Sequence, residues 1–91
     1  MMVTKRWIVE GRVQGVGFRA HTERKAKELG LKGWVQNLAN GCVETLAQGE
    51  DQNVNAFYQW LQTGPAHGKV DKVNEVPNTD SESFFDFSIR R

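Results

Sequence analysis

Apolar residues recur along the chain with two different periods, and each period predicts its own kind of element. Trp7 and Val9 alternate with polar neighbours, as on a half-buried strand. From Phe18 to Leu29 a small or apolar residue returns after four, four and three positions, as on the buried face of a helix. Periodicity predicts strands at residues 4–10, 32–38, 42–48, 69–76 and 85–89, and helices at residues 19–29 and 51–62.

Residues that favour turns and caps stand between these elements. Gly30 occupies the position of a helix C-cap glycine, and Gly64-Pro65 ends the second helix. Asp51 is a suitable N-cap for that second helix. Asn40-Gly41 predicts a hairpin, because both residues tolerate left-handed backbone conformations. The boundaries predicted from turn residues therefore agree with those predicted from periodicity.

The elements follow the order βαββαβ with a short extra strand, which carries Phe85, Phe87 and Ile89 on one face. This order predicts an α+β fold, a ferredoxin-like split βαβ sandwich with two helices on one face of an antiparallel sheet. The crossover from the first strand to the second is expected to be right-handed. These two strands then run in the same direction with one strand between them. The loop after the first strand and residues 36–39 should therefore meet at one edge of the sheet.

Composition narrows the class of protein. The 91 residues are expected to form one domain, 1–91, with a modest core. A formal net charge of +1 argues against a nucleic-acid-binding face, and no apolar run approaches the roughly 18 residues of a membrane span. The single cysteine excludes an internal disulfide framework and a thiolate-cluster metal site. We therefore expect a cytoplasmic monomer that binds neither nucleic acid nor membrane.

Candidate chemistry is concentrated in the stretch "GRVQGVGFR", residues 11–19, which holds three glycines and opens the first helix. Gly11 is expected to release the strand, and the other two glycines to turn amides inward as an anion site at the helix N-terminus. Arg19 can bind two phosphate oxygens at once. It is unfavourable for the helix dipole, which suggests a ligand. Asn37, at the same sheet edge, has an amide that can donate to one group while accepting from a water.

Each of these features also has a simpler structural explanation. The glycines can make only a turn, Arg19 can be a solvated charge, and Asn37 can belong to the hairpin turn. Their predicted meeting at one edge favours a binding site. The loop lacks the Gly-Lys-Ser/Thr of a P-loop and the dinucleotide glycine spacing. Cys42 has no nearby histidine in sequence to activate it. His21 is interpreted as a surface residue that could lie near the loop.

Together with "GWVQNLANGCVETLAQG", residues 33–49, the glycine-rich stretch resembles the two signature segments of acylphosphatases. The second segment carries the Gly-aromatic-x-x-Asn of that family, ending at Asn37, and its later Gly-x-Val pair and glycine. The resemblance runs over essentially the whole chain. It is closer to the free-standing enzyme than to the related N-terminal module of hydrogenase-maturation proteins. Cys42 departs from the small hydroxyl residue often found there in relatives, and we expect this to tune the site.

The resemblance implies hydrolysis of acyl phosphates, which are carboxyl-phosphate mixed anhydrides, to a carboxylate and inorganic phosphate by direct attack of water. It implies no metal or organic cofactor, a phosphate-binding role for Arg19 and a water-positioning role for Asn37. The implied phosphate cradle consists of the amides of Gly15, Val16, Gly17, Phe18 and Arg19. An alternative is a non-catalytic ferredoxin-like module that binds an anion such as phosphate. A third is an oligomerising or nucleic-acid-contacting domain, since fold does not fix function.

Overall fold

The elements of the protein follow the predicted order in a computed structural model that describes residues 1–78 and 82–91. Within this part of the chain, no helix is long and apolar enough to cross a membrane. The strands are β1 Met2–Arg12, β2 Lys32–Asn37, β3 Val43–Glu50, β4 Lys69–Val76 and β5 Phe87–Arg90, and the helices are α1 Phe18–Glu28 and α2 Asp51–Thr63.

The sheet has the order β4-β1-β3-β2-β5. Both β1 and β2 pair antiparallel with β3, so they run in the same direction and end at the same edge. The predicted split arrangement, with one strand between β1 and β2, is therefore confirmed. The extra strand β5 pairs in parallel with β2, which makes the sheet mixed rather than purely antiparallel. Gln48 of β3 bonds to Glu82 and Phe84, and this places the segment before β5 across the sheet face opposite the helices.

Both helices pack on one face of the sheet, because their buried side chains share a core with the strands. α1 lies against β2 and β5, and α2 lies against β4, β1 and β3. From α1 the core receives Phe18 and Ala26, and from α2 it receives Val54, Phe57 and Leu61. The two apolar stripes predicted from the sequence are thus the two buried helix faces.

Phe57 lies at the centre of an aromatic cluster in this core. Its ring centroid is 5.8 Å from that of Trp7, 5.8 Å from that of Phe87 and 6.5 Å from that of Trp60. Rings at these separations attract one another beyond their burial of apolar area. Because Phe87 belongs to β5, the cluster connects α2 to the last strand of the sheet.

The ends of the helices follow the sequence with one exception. The N–H groups of Gly30 and Leu31 donate to carbonyls in the last turn of α1, as expected for a helix that ends at a glycine. The prediction of Asp51 as an N-cap is wrong by one residue, because Glu50 is the N-cap and Asp51 begins α2. Neither N-cap residue, Gly17 or Glu50, makes a side-chain capping bond, so the sequence indicates little about the residue at which each helix begins.

Strand ends also differ from the prediction by one or two residues at every strand except β4, and the differences at β1 and β5 change the interpretation of single residues. β1 continues through a bulge between Glu10 and Gly11 and pairs with β4 as far as its end, so Gly11 belongs to the strand and does not release it. β5 begins at Phe87, and Phe85 is 98% exposed. The expected sharing of one face therefore holds for Phe87 and Ile89, which pair with β2, but is wrong for Phe85.

Replacing Phe57 with alanine should destabilise the protein strongly. The side chain is fully buried, so its removal should cost about 3–5 kcal/mol in the free energy of unfolding. The same change at the exposed Phe85 should cost less than about 0.5 kcal/mol. Urea unfolding followed by circular dichroism measures both. Equal stabilities of the two variants would contradict the core described above.

Candidate functional site

The loop between β1 and α1 turns at two glycines with positive φ. The φ angle is 75° at Gly15 and 76° at Gly17, which is the N-cap of α1. A Cβ added at Gly15 would meet no atom within 4 Å, and one at Gly17 would first meet the His21 ring at 3.6 Å. The need for glycine is therefore conformational, since other residues lose about 1–2 kcal/mol in this region.

Backbone N–H groups are left unpaired along this loop. The first backbone bond of α1 runs from the N–H of His21 to the carbonyl of Gly17. Between Gly15 and Ala20, no backbone N–H donates to an acceptor in the part of the chain that the structure describes. Free amides in a tight turn and a first helical turn attract anions. The first turn of α1 also contains no acidic residue that would compete for these amides.

Arg19 is the second residue of α1 and is half-buried. Its guanidinium has no hydrogen-bond or ion-pair partner among the described residues. A cation near a helix N-terminus is disfavoured by the helix dipole. An anion bound at the loop would offset this unfavourable interaction and accept hydrogen bonds from the guanidinium.

Asn37 is the last residue of β2 and pairs with Val43 of β3. Val43 also pairs with Val9 of β1, so Asn37 lies one strand away from the end of β1. Its side chain has no partner in the described part of the chain and is exposed. Asn37 shares the helix-side face of the sheet with Val35, because side chains alternate along a strand.

One pocket of about 180 Å³ joins these groups. Arg19 and Asn37 both line it, as do Gly15, Gly17 and Phe18, so the structure brings together the predicted site residues with one exception. That exception is Val16, whose side chain packs against the core instead. A contribution of its amide stays a prediction. The remaining lining residues are Val13, Ala20, Ile89 and Arg91.

Ile89 and Arg91 are site residues that sequence reasoning missed. They enter the pocket because β5 pairs in parallel with β2, with Ile89 opposite Val35 and Arg90 opposite Gln36. Arg91 follows the last of these pairs, and it lines the pocket together with Asn37. The alternation of Phe87 and Ile89 in the sequence predicts which face of β5 is buried. It does not predict which strand β5 pairs with.

Gln14 is a third residue that was missed. Its side-chain nitrogen donates to the carbonyls of Leu38 and Cys42, both at 2.8 Å. These bonds connect the glycine loop to the hairpin that follows Asn37. The sequence alone does not indicate that a glutamine in a glycine-rich loop bonds to a segment so distant along the chain.

Two other candidates lie outside the pocket lining. His21 packs its ring beside Gly17, which confirms that it lies near the loop. Cys42 is a half-buried free thiol that does not line the pocket. Among the described residues, no three His, Cys, Asp or Glu side chains lie close enough to hold a metal ion.

Comparisons with known proteins agree with one another. A family model described as Acylphosphatase matches residues 5–89. A protein named acylphosphatase from Marinobacter nauticus is 48% identical over 90 residues, which cover 94% of this chain and 96% of that protein. A solved acylphosphatase from Coxiella burnetii has 39% identity and a TM-score of 0.90, covering 98% of this chain and 93% of that chain. One from Bacillus subtilis has 36% identity and a TM-score of 0.91, covering 100% of both chains.

Replacing Gly17 with alanine should weaken the binding of inorganic phosphate. The new residue resists a φ of 76°, so the loop amides turn away from the anion and affinity should fall about tenfold or more. Gly30→Ala is the matched control, because Gly30 has a similar φ of 69° with open space around it but does not line the pocket. Isothermal titration calorimetry with phosphate measures the affinities. Unchanged affinity in Gly17→Ala would contradict the anion site.

Proposed function

The chain belongs to the acylphosphatase family and hydrolyses acyl phosphates to a carboxylate and inorganic phosphate, and we propose that Arg19, Asn37 and the glycine loop carry out this reaction. The observation that carries the proposal is that one pocket is lined by all three. The pocket volume of about 180 Å³ suits a small-molecule substrate. Among the described residues that line it, no side chain is a carboxylate or an imidazole.

The glycine loop and Arg19 bind the phosphoryl group. The free amides between Gly15 and Ala20 donate to its oxygens, and the guanidinium of Arg19 donates to two oxygens at once. Charge spreads over these oxygens as phosphorus passes from the leaving group to the water. Donors that are already in place lower the energy of that transition state without reorganising.

Asn37 orients the attacking water. Its amide oxygen accepts a hydrogen bond from the water, and the water oxygen forms a bond to phosphorus in line with the departing acyl oxygen. The bond between phosphorus and that oxygen breaks, and the carboxylate leaves with the electron pair. A carboxylate is a stable leaving group, so it needs no proton. Because none of the described residues that line the pocket is a general base, a phosphoryl oxygen takes the proton of the water.

The other functions considered from the sequence find less support. A non-catalytic anion module does not need the amide of Asn37 beside the phosphate loop. A nucleic-acid platform would need exposed aromatic rings on the open sheet face, but Trp34 there is buried under the guanidinium of Arg90, 4.3 Å from the ring. The cytoplasmic location and the monomeric state stay predictions.

Replacing Asn37 with alanine should abolish turnover while it spares phosphate binding. Loss of the oriented water should reduce kcat by about 10³-fold or more, because Asn37 is the one side-chain amide among the described residues that line the pocket. Asn55→Ala, at an exposed position of α2, is the matched control. Phosphate release from acetyl phosphate in the presence of a chelator measures kcat, and phosphate inhibition measures binding. Turnover of Asn37→Ala at the parent rate would refute the proposed mechanism.

Replacing Arg19 with glutamine should weaken both phosphate binding and turnover. The two charge-assisted bonds are lost in the ground state and in the transition state, so kcat/KM should fall about 10²–10³-fold. Arg24→Gln, an exposed change on the same helix, should leave both unchanged. Phosphate release from acetyl phosphate measures kcat/KM of these variants, and inhibition by inorganic phosphate measures their phosphate binding. Parent-like phosphate inhibition of Arg19→Gln would show that the anion binds elsewhere.

A further inference from the structure

Gln14 is the direct polar connection between the glycine loop and the β2–β3 hairpin. Its amide nitrogen lies 2.8 Å from the carbonyl oxygen of Leu38 and 2.8 Å from that of Cys42. Both partners are acceptors, so only the NH₂ end of the amide fits there, and each of its hydrogens has one carbonyl. The two hydrogen bonds together fix the orientation of the Gln14 amide.

The two carbonyls belong to the hairpin turn that begins directly after Asn37. Leu38 follows it in sequence, and the N–H of Leu38 donates to the carbonyl of Cys42 at 2.8 Å, closing the hairpin. The carbonyl of Leu38 also accepts from the N–H of Gly41 at 3.2 Å. Each carbonyl thus keeps a backbone partner when the bond from Gln14 is removed, so the hairpin does not depend on Gln14 to form.

We propose that Gln14 is a positioning residue for the reaction, which sets the separation between the phosphate-binding loop and the water held by Asn37. The proposal rests on the function proposed above. Gln14 belongs to the same loop as Gly15 and Gly17, whereas its partners belong to the segment that carries Asn37. Within the sheet these two segments are joined through β3, and α1 packs against β2; the side chain of Gln14 adds a direct bond between the segments at the pocket end.

This role affects turnover more than binding. The loop amides and Arg19, which supply most of the donors to the phosphoryl group, lie on one side of the Gln14 bonds, so phosphate binding depends mainly on that side. The attacking water lies on the other side, and a displacement of about 1 Å between water and phosphorus can cost 10²-fold in rate. Loss of the Gln14 bonds should therefore lower kcat, while KM and phosphate inhibition stay nearly constant.

The test is Gln14→Leu, which keeps the side-chain volume and removes both donors. Gln48→Leu is the matched control, because Gln48 also bonds across the fold, to Thr4 and Glu82, but at the far end of β3. For Gln14→Leu we expect kcat on acetyl phosphate to fall about 10- to 100-fold, with KM and phosphate inhibition within about threefold. For Gln48→Leu we expect a lower Tm and the parent kcat.

A second variant, Gln14→Glu, adds a readout in pH. Its carboxylate would face two carbonyl oxygens, whereas the protonated acid could donate to one of them. The surrounding acceptors would raise the pKa of this carboxyl, so the kcat of the variant relative to the parent should rise from about pH 7.5 to about pH 5. A merely structural loss would leave this ratio constant.

The outcomes separate the two proposals. If the parent hydrolyses acetyl phosphate and Gln14→Leu matches its kcat within about twofold, the positioning role of Gln14 is wrong and the proposed function stands. The role is also wrong if Gln14→Leu loses activity only through phosphate affinity, or if the pH ratio of Gln14→Glu is constant. A parent that releases no phosphate overturns both proposals.

Discussion

The pairing of β3 with both β1 and β2 is the constraint on which the site depends. Val43 pairs with Val9 on one side and Asn37 on the other, so the asparagine and the start of the glycine loop are held one strand apart. A slip of one residue would turn Asn37 to the opposite face, because strand side chains alternate. The buried hydroxyl of Thr45 opposes such a slip, since it donates across the pair to the carbonyl of Trp34 at 2.8 Å.

The predictable part of the site is the part that local conformation determines. Glycines before a helix predict positive φ from sequence alone, and the order of elements brings Asn37 to the edge where that helix begins. The partners of Gln14 and the position of Ile89 depend instead on contacts between segments distant in sequence. Periodicity gives the face of β5, but its parallel pairing with β2 results from the path that the chain takes across the sheet.

The electrostatics of the pocket explain how a nearly neutral chain can attract an anion. The formal net charge is only +1, yet Arg19 and Arg91 line the pocket, and no carboxylate side chain lines it in the part of the chain that the structure describes. The first turn of α1 adds free amides without an acidic residue. Such a local arrangement focuses positive potential at the proposed phosphoryl site, in a chain whose overall charge is close to neutral.

The same electrostatics explain why a neutral amide suits the position of Gln14. Two carbonyl acceptors require a donor, so a carboxylate there would be repelled by both. A lysine could satisfy the carbonyls, but it would place a third cation next to the loop and compete with Arg19 for the phosphoryl oxygens. Glutamine supplies two donors and no net charge. It can therefore hold the hairpin and the loop together without changing the positive field that Arg19, Arg91 and the loop amides create in the pocket.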